Sequence, residues 1–219
     1  MLYRAEPIYE GRVVAVVGGG PSLSLPQVRM LGMARARGLI RVITLNDAVY
    51  PCWFSDIAYA CDAKWWRHHC GVPGFEGMRL SLEENDHADR MVITGTTGFD
   101  PDPGALRTGG NSGYQALHLC AHLMPRRVIL VGIDMAGTHW FGDHPPELWT
   151  RTPDMQNRIR RFDDLKGPLA ERGIEVVNAS PNSALPTFPR GDLATELQRL
   201  EPKLGTDRQM VAGRNYGTR

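Results

Sequence analysis

The feature that most constrains this chain is a continuous apolar run, Val13-Val14-Ala15-Val16-Val17, that passes straight into Gly18-Gly19-Gly20-Pro21-Ser22. A run without alternation has no face to offer to water, so it suits a strand covered on both sides, as in parallel sheets. A helix should follow the glycines. Ser24 stands as its N-cap with Gln27 placed to reach back, Leu23 and Val28 sit in staple positions, and Pro26 falls in the first turn. Gly38 ends that helix after about Arg37. Strand, glycine turn and capped helix together open a βαβ unit.

The same grammar continues along the chain. Ile40 to Leu45 reads as a second strand ending at Asn46-Asp47, Ile57 to Ala60 as a third ending near Asp62, and Met91 to Thr94 as a fourth. Residues 95–110, rich in Gly, Pro, Thr and Asp, read as loop. Asn111-Ser112-Gly113 opens a helix whose buried stripe is Ala116, Leu117, Cys120, Leu123 and Met124, with Pro125 as its stop. His118 and His122 share its polar face with Gln115 and are expected to be solvated. Val128 to Ile133 is a further strand, ending at Asp134. A polar and aromatic loop covers Ala136 to Thr152. Met155 to Arg172 reads as one charged helix ended by Gly173, Ile174 to Val177 as the last strand, and Asp192 as the cap of a short helix reaching Leu200. Alternating strands and helices predict a Rossmann-like, doubly wound α/β fold, with a mostly parallel sheet and helices on both faces. The expected organisation is one nucleotide-binding domain over 1–202 and a loose tail over 203–219.

Composition narrows the function classes. A chain of 219 residues can bury a core without metals or disulfides. Its net charge of +1 gives no electrostatic case for nucleic-acid binding. No run approaches the ~20 apolar residues of a membrane span, and no signal-peptide core is visible. The four cysteines, Cys52, Cys61, Cys70 and Cys120, form no CxxC pair, and with His68-His69 they match no usual zinc spacing. A reducing cytoplasm is therefore expected.

In open parallel sheets the ligand sits beyond the carboxyl ends of the strands. Polar residues gather there: Gly18 to Ser22, Asn46-Asp47, Asp62, Asp134 and Asn182-Ser183. Glycines let backbone amides approach a phosphate, and a helix N-terminus adds partial positive charge. A tight βα turn without a ligand is the plainer alternative. Leu23 stands where GxGxxG needs its third glycine, no acid closes the second strand about 20 residues on, and no GKS/T follows. Asn111-Ser112-Gly113 is a second helix start that suits an anion, a sugar hydroxyl or simply an N-cap. The segment Gly137 to Pro145 holds His139 and His144, candidate general bases, with Asp143 beside His144 as a candidate orienting group. The same residues, His139, Asp143 and His144, also suit a metal, and a surface loop with incidental histidines is the third reading. His68-His69, beside Trp65-Trp66, read as structural or rim residues.

Taken in order, these motifs resemble family 42 sialyltransferases, whose opening strand and loop read G-N-G-P-S-L where this chain has Gly18-Gly19-Gly20-Pro21-Ser22-Leu23. Asn46 matches a nucleotide-contacting asparagine of that family. Ser112-Gly113 with Gly132-Ile133-Asp134 matches its S-G helix and G-I-D strand end, and Pro181-Asn182-Ser183 its late P-N-S. The skeleton is similar to the DUF115 group, which includes flagellin-modification glycosyltransferase-like proteins and archaeal hydroxymethylpterin pyrophosphokinases. Small members of this kind are common in phage genomes. The resemblance covers roughly Val13 to Leu185. It implies nucleotide contacts from Gly18 to Ser22, Asn46, Ser112-Gly113 and Asn182-Ser183, and a histidine base after the G-I-D strand, with His144 preferred and His139 second. Gly19 replaces the family's asparagine, and Trp140, Phe141 and Trp149 stand where its tyrosine pair is expected.

Three functions are therefore expected in order. The first is glycosyl transfer from a nucleotide-sugar donor with His144 as base. The second is Mg²⁺-dependent pyrophosphoryl transfer to a pterin-like alcohol, with Asp62, Asp134 and Asp143 as candidate ligands, Asp134 and Asp143 foremost. The third is a non-catalytic nucleotide-binding or phage-associated role.

Overall fold

The computed structural model describes residues 1–148 and 154–201. Trp149 and the expected tail, 203–219, lie outside the described residues. The apolar run forms β1 (Val13–Val17), every residue of it buried. Around it stand β2 (Arg41–Leu45), β3 (Ile57–Tyr59), β4 (Met78–Ser81), β5 (Asp89–Arg90), β8 (Arg127–Val131) and β9 (Glu175–Asn178). Their order is β5-β4-β3-β2-β1-β8-β9, and every neighbouring pair is parallel. The order reverses between β1 and β8, the point at which an open α/β sheet leaves a crevice.

Alternate residues of β1 feed two cores. Val13, Ala15 and Val17 pack with Leu31 of α1 (Leu25–Ala36) and Leu197 of α6 (Leu193–Gln198). Val14 and Val16 pack with Leu117 of α3 (Ser112–Leu123) and Leu169 of α5 (Lys166–Glu171). The fold is thus the expected doubly wound α/β arrangement, with helices on both faces. At the start of α1 the Gln27 side chain accepts from the Ser24 amide at 3.0 Å and from its hydroxyl at 3.1 Å. Asp192 caps α6 through the Thr195 amide at 2.9 Å.

Several expectations are corrected. Met91 to Thr94 does not supply the fourth strand of the main sheet; β6 (Val92–Ile93) pairs with β7 (Ala105–Leu106) in a separate two-stranded sheet. β7 lies inside the stretch expected to be loop. The fourth and fifth main-sheet strands are β4 and β5, which carry two large apolar residues, Met78 and Leu80, and no β-branched one. The charged helix is broken into α4 (Met155–Arg161), a 3-10 segment (Phe162–Leu165) and α5. Pro168 explains part of this: without an N–H it fits only a first turn, and α5 restarts just ahead of it. A further helix, α2 (Ala63–His68), buries Trp65 and Trp66. No helix among the described residues is long and apolar enough to cross a membrane.

His118 and His122 are not solvated: they are 0% and 9% exposed. β7 and the 95–110 segment cover that face of α3, giving it a second buried side. The His118 Nδ1 accepts from the Arg107 amide at 3.2 Å, and Nε2 lies 3.2 Å from the Asp100 carbonyl. Burial pulls its pKa down to about 4, against the opposing effect of the Asp100 contact. Folded protein therefore keeps His118 neutral while unfolded chain takes up a proton below 6.5. Unfolding free energy should fall as the pH drops from 6.5 to about 4. Denaturant titrations across that range should show a flatter slope for His118→Gln than for the parent.

Candidate functional site

A cleft of about 330 Å³ opens at the carboxyl ends of β1, β2 and β8, where the strand order reverses. Its floor is made by two loops that almost touch. The Gly18 amide donates to the Val131 carbonyl at 2.8 Å and the Gly20 amide to the Gly132 carbonyl at 2.9 Å. A Cβ on Gly18 would lie 2.7 Å from the Gly132 oxygen, and one on Gly20 would lie 2.0 Å from Asp134 Oδ2. Gly132 itself, at φ +64°, takes a conformation that other residues adopt at a penalty. Asp134 accepts from the Ser22 hydroxyl at 2.9 Å and the Ser22 amide at 3.2 Å, both through Oδ2. It is 3% exposed, and its Oδ1 has no hydrogen-bond partner among the described residues. The glycines are therefore first a docking surface for the β8 loop. The amides of Gly18 and Gly20 are occupied by it, whereas Gly19, which lines the cleft, has room for a side chain.

The histidine loop hangs over this floor. The Trp140 amide donates to the Gly19 carbonyl at 3.0 Å, and His139 and Gly142 close the loop on each other. His139 stacks on Phe141 with centroids 5.0 Å apart and planes 14° from parallel, and its ring lies 4.4 Å from that of His144. Burial, followed by the neighbouring His144, lowers the His139 pKa, so it is neutral near neutral pH. His144 Nδ1 lies 3.8 Å from Asp47 Oδ2, so the carboxylate beside His144 is Asp47; Asp143, the expected partner, is exposed. Trp65 Nε1 donates to Asp47 Oδ2 at 3.1 Å, and His69 Nε2 lies 3.5 Å from Oδ1. Asn46, at φ +48°, turns the chain so that both Asn46 and Asp47 line the cleft. An asparagine tolerates this left-handed conformation better than most residues.

The third wall is the start of α3. Asn111 Oδ1 accepts from the Gly113 amide at 2.7 Å and the Tyr114 amide at 3.3 Å, so the plain N-cap is present, and Asn111, Ser112 and Gly113 line the cleft. Arg158 of α4 also lines it and has no carboxylate partner among the described residues. In the sequence Arg158 is one of several arginines on a charged helix, and nothing in its spacing separates it from the rest.

Other expected site residues lie elsewhere. Asp62 precedes α2 outside the cleft, its pKa raised by burial and then by Glu83. Asn182 is exposed and outside it. Ser183 is a buried latch: its hydroxyl donates to the Ile133 carbonyl at 2.6 Å and accepts from Asn178 Nδ2 and the Leu185 amide. Pro21 and Ser22 flank the cleft without lining it. Asp143 is exposed and does not line the cleft with Asp134, and among the described residues no group of three or more His, Cys, Asp or Glu is placed to hold a metal ion.

This fold and cleft define a Rossmann-like α/β protein with a ligand-sized crevice at its switch point. Among solved structures it is similar to the MAf glycosyltransferase from Magnetospirillum magneticum AMB-1, with a TM-score of 0.58 and 13% identity. The match covers 90% of this chain and 37% of that one, so the chain corresponds to just over a third of that protein's length. No family model and no curated protein matches the chain.

The glycine loop can be dissected by stability alone. Gly20→Ala should destabilise by about 1–3 kcal/mol through overpacking against Asp134 and Gly132. Gly19→Ala, whose Cβ would find its nearest atom at 3.5 Å, should stay within about 0.5 kcal/mol of the parent in urea unfolding.

Proposed function

We propose that the chain is a glycosyltransferase-like transferase that holds a nucleotide-sugar donor in the switch-point cleft. The observation that carries this reading is the union, in one cleft, of a carboxylate-backed histidine and a guanidinium, that of Arg158, with no carboxylate partner among the described residues. Asp47 beside Nδ1 favours the tautomer with its proton on Nδ1, which leaves His144 Nε2 as the accepting nitrogen. In the proposed step an acceptor hydroxyl gives its proton to Nε2 as its oxygen attacks the anomeric carbon. The bond to the leaving phosphate oxygen breaks, and the electron pair departs with the phosphate. Arg158 and the capped start of α3 balance that charge. Gly19, Asn46 and Ser112 would contact the nucleotide, and Phe141 with His139 would offer a stacked platform. The likeness to a solved glycosyltransferase supports the reading through the fold. Free cysteines throughout suit a reducing, cytoplasmic setting.

Thermal melts with CMP, UDP, GDP and ATP, each with and without Mg²⁺, should show one nucleotide raising the midpoint, because ligand bound only to folded chain stabilises it. A shift that requires Mg²⁺ would move support to pyrophosphoryl transfer, with Asp134 Oδ1 as the available carboxylate oxygen. No shift with any of them would sink the nucleotide site. With the donor class known, His144→Ala should lower kcat by about 10²–10⁴-fold. Arg158→Ala should weaken nucleotide binding and spare the fold, as read by the same melts.

A further inference from the structure

Behind the cleft, outside its lining, His69 meets the far side of the Asp47 carboxylate. Its side chain is 13% exposed and sandwiched: the Trp65 ring lies 4.4 Å away, that of His68 4.8 Å and that of Tyr50 5.3 Å. The Tyr50 oxygen is 2.6 Å from His69 Nδ1. Burial and the charge of Asp47 raise the Tyr50 pKa, so its hydroxyl keeps its proton and donates it to Nδ1. A neutral imidazole then carries its own proton on Nε2, the nitrogen turned to Asp47 Oδ1. Burial, outweighing the pull of Asp47, lowers the His69 pKa and keeps the ring neutral. Both His69 Nε2 and His144 Nδ1 are buried and lack a hydrogen-bond partner among the described residues, and both lie beside this one carboxylate at ion-pair distance. Such contacts commonly tighten when a ligand arrives.

We propose that His69 is a positioning residue: held by Tyr50 at Nδ1, it presents Nε2–H to Asp47 and so fixes the carboxylate that orients His144. The chain Tyr50, His69, Asp47, His144 would run from a half-exposed phenol to the cleft, with Trp65 as the second donor that keeps Asp47 from turning. The activity arm of the test rests on the transferase reading; the spectroscopic arm does not.

Nitrogen-15 NMR of the ring nitrogens in the full chain should show neutral His69 protonated on Nε2 and neutral His144 protonated on Nδ1. In His69→Ala the His144 signature should drift toward a mixture of tautomers. His69→Gln, which can still aim an N–H at Asp47, should restore it. Tyr50→Phe removes only a half-exposed hydroxyl; it should mix the His69 tautomers and move His144 in the same direction. In transfer assays His69→Ala should lower kcat by about tenfold or more while the donor KM stays in place, and His69→Gln should recover most of it. His69 protonated on Nδ1, or a His144 signature unchanged in both His69→Ala and Tyr50→Phe, would overturn the proposal. Tautomers as expected with no donor turned over would leave the relay standing and bring down the transferase reading instead.

Discussion

The amides of Gly18 and Gly20 donate to the carbonyls of Val131 and Gly132, and the contact is so close that none of Gly18, Gly20 and Gly132 admits a Cβ. Nearly every other feature of the cleft is arranged around this meeting of two strand ends. It brings β1 beside β8, where the strand order reverses. It sets Ser22 against Asp134, and it gives the histidine loop a fixed carbonyl, that of Gly19, on which to hang. A glycine loop of this kind is easily read as a phosphate cradle. Here geometry gives it an earlier duty, because an amide already bonded to a carbonyl has little left for an anion. On the proposed reading the groups left to face an anion are Gly19 and the Arg158 side chain, both of which line the cleft.

The electrostatics of the histidine side of the cleft centre on one partly hidden carboxylate. Asp47 is 15% exposed and sits among an indole N–H and two imidazoles. A buried carboxylate without donors would be expensive, and a buried histidine pair without a carboxylate would have its Nδ1 and Nε2 protons unmatched. Each requirement meets the other. The arrangement joins β2, α2 and the loop after β8, so it depends on three separate stretches of chain being in place.

Much of this was legible in the sequence, and unevenly so. β1, β2, β3, β8 and β9 announce themselves through apolar runs, and α1, α3 and α6 through Ser24, Asn111 and Asp192 at their starts. Gly18 to Gly20, Asn46-Asp47 and Asp134, read as strand-end residues, converge with the loop histidines His139 and His144 on one cleft, whereas Asp62, Asn182 and Ser183 from the same reading fall outside its lining. β5 escaped because it is a two-residue edge strand, and β4 because Met78-Arg79-Leu80-Ser81 has neither a β-branched residue nor a continuous apolar run. α2 escaped because six residues are too few to display a period. His118 and His122 were misread because the face they occupy is covered by a segment that is loop by composition. The pairing of His144 with Asp47 in place of Asp143 is a tertiary fact: sequence adjacency favoured the neighbour, and the sheet order chose the residue on β2's end. Ser183 looked like a ligand contact but is spent on Ile133, and no local signal distinguishes a latch from a contact.

The Ser22 hydroxyl and the Asp134 carboxylate that accepts from it are 112 positions apart. The floor of the cleft is therefore non-local throughout, with no part of it carried by a single contiguous peptide. A chain that has laid down only its first βαβ unit has the glycine loop but nothing for it to dock on, and it has no crevice to fill. The crevice is a property of the assembled sheet, complete only when β8 stands beside β1. An intact cleft thus reports that the loops after β1 and β8 have found each other.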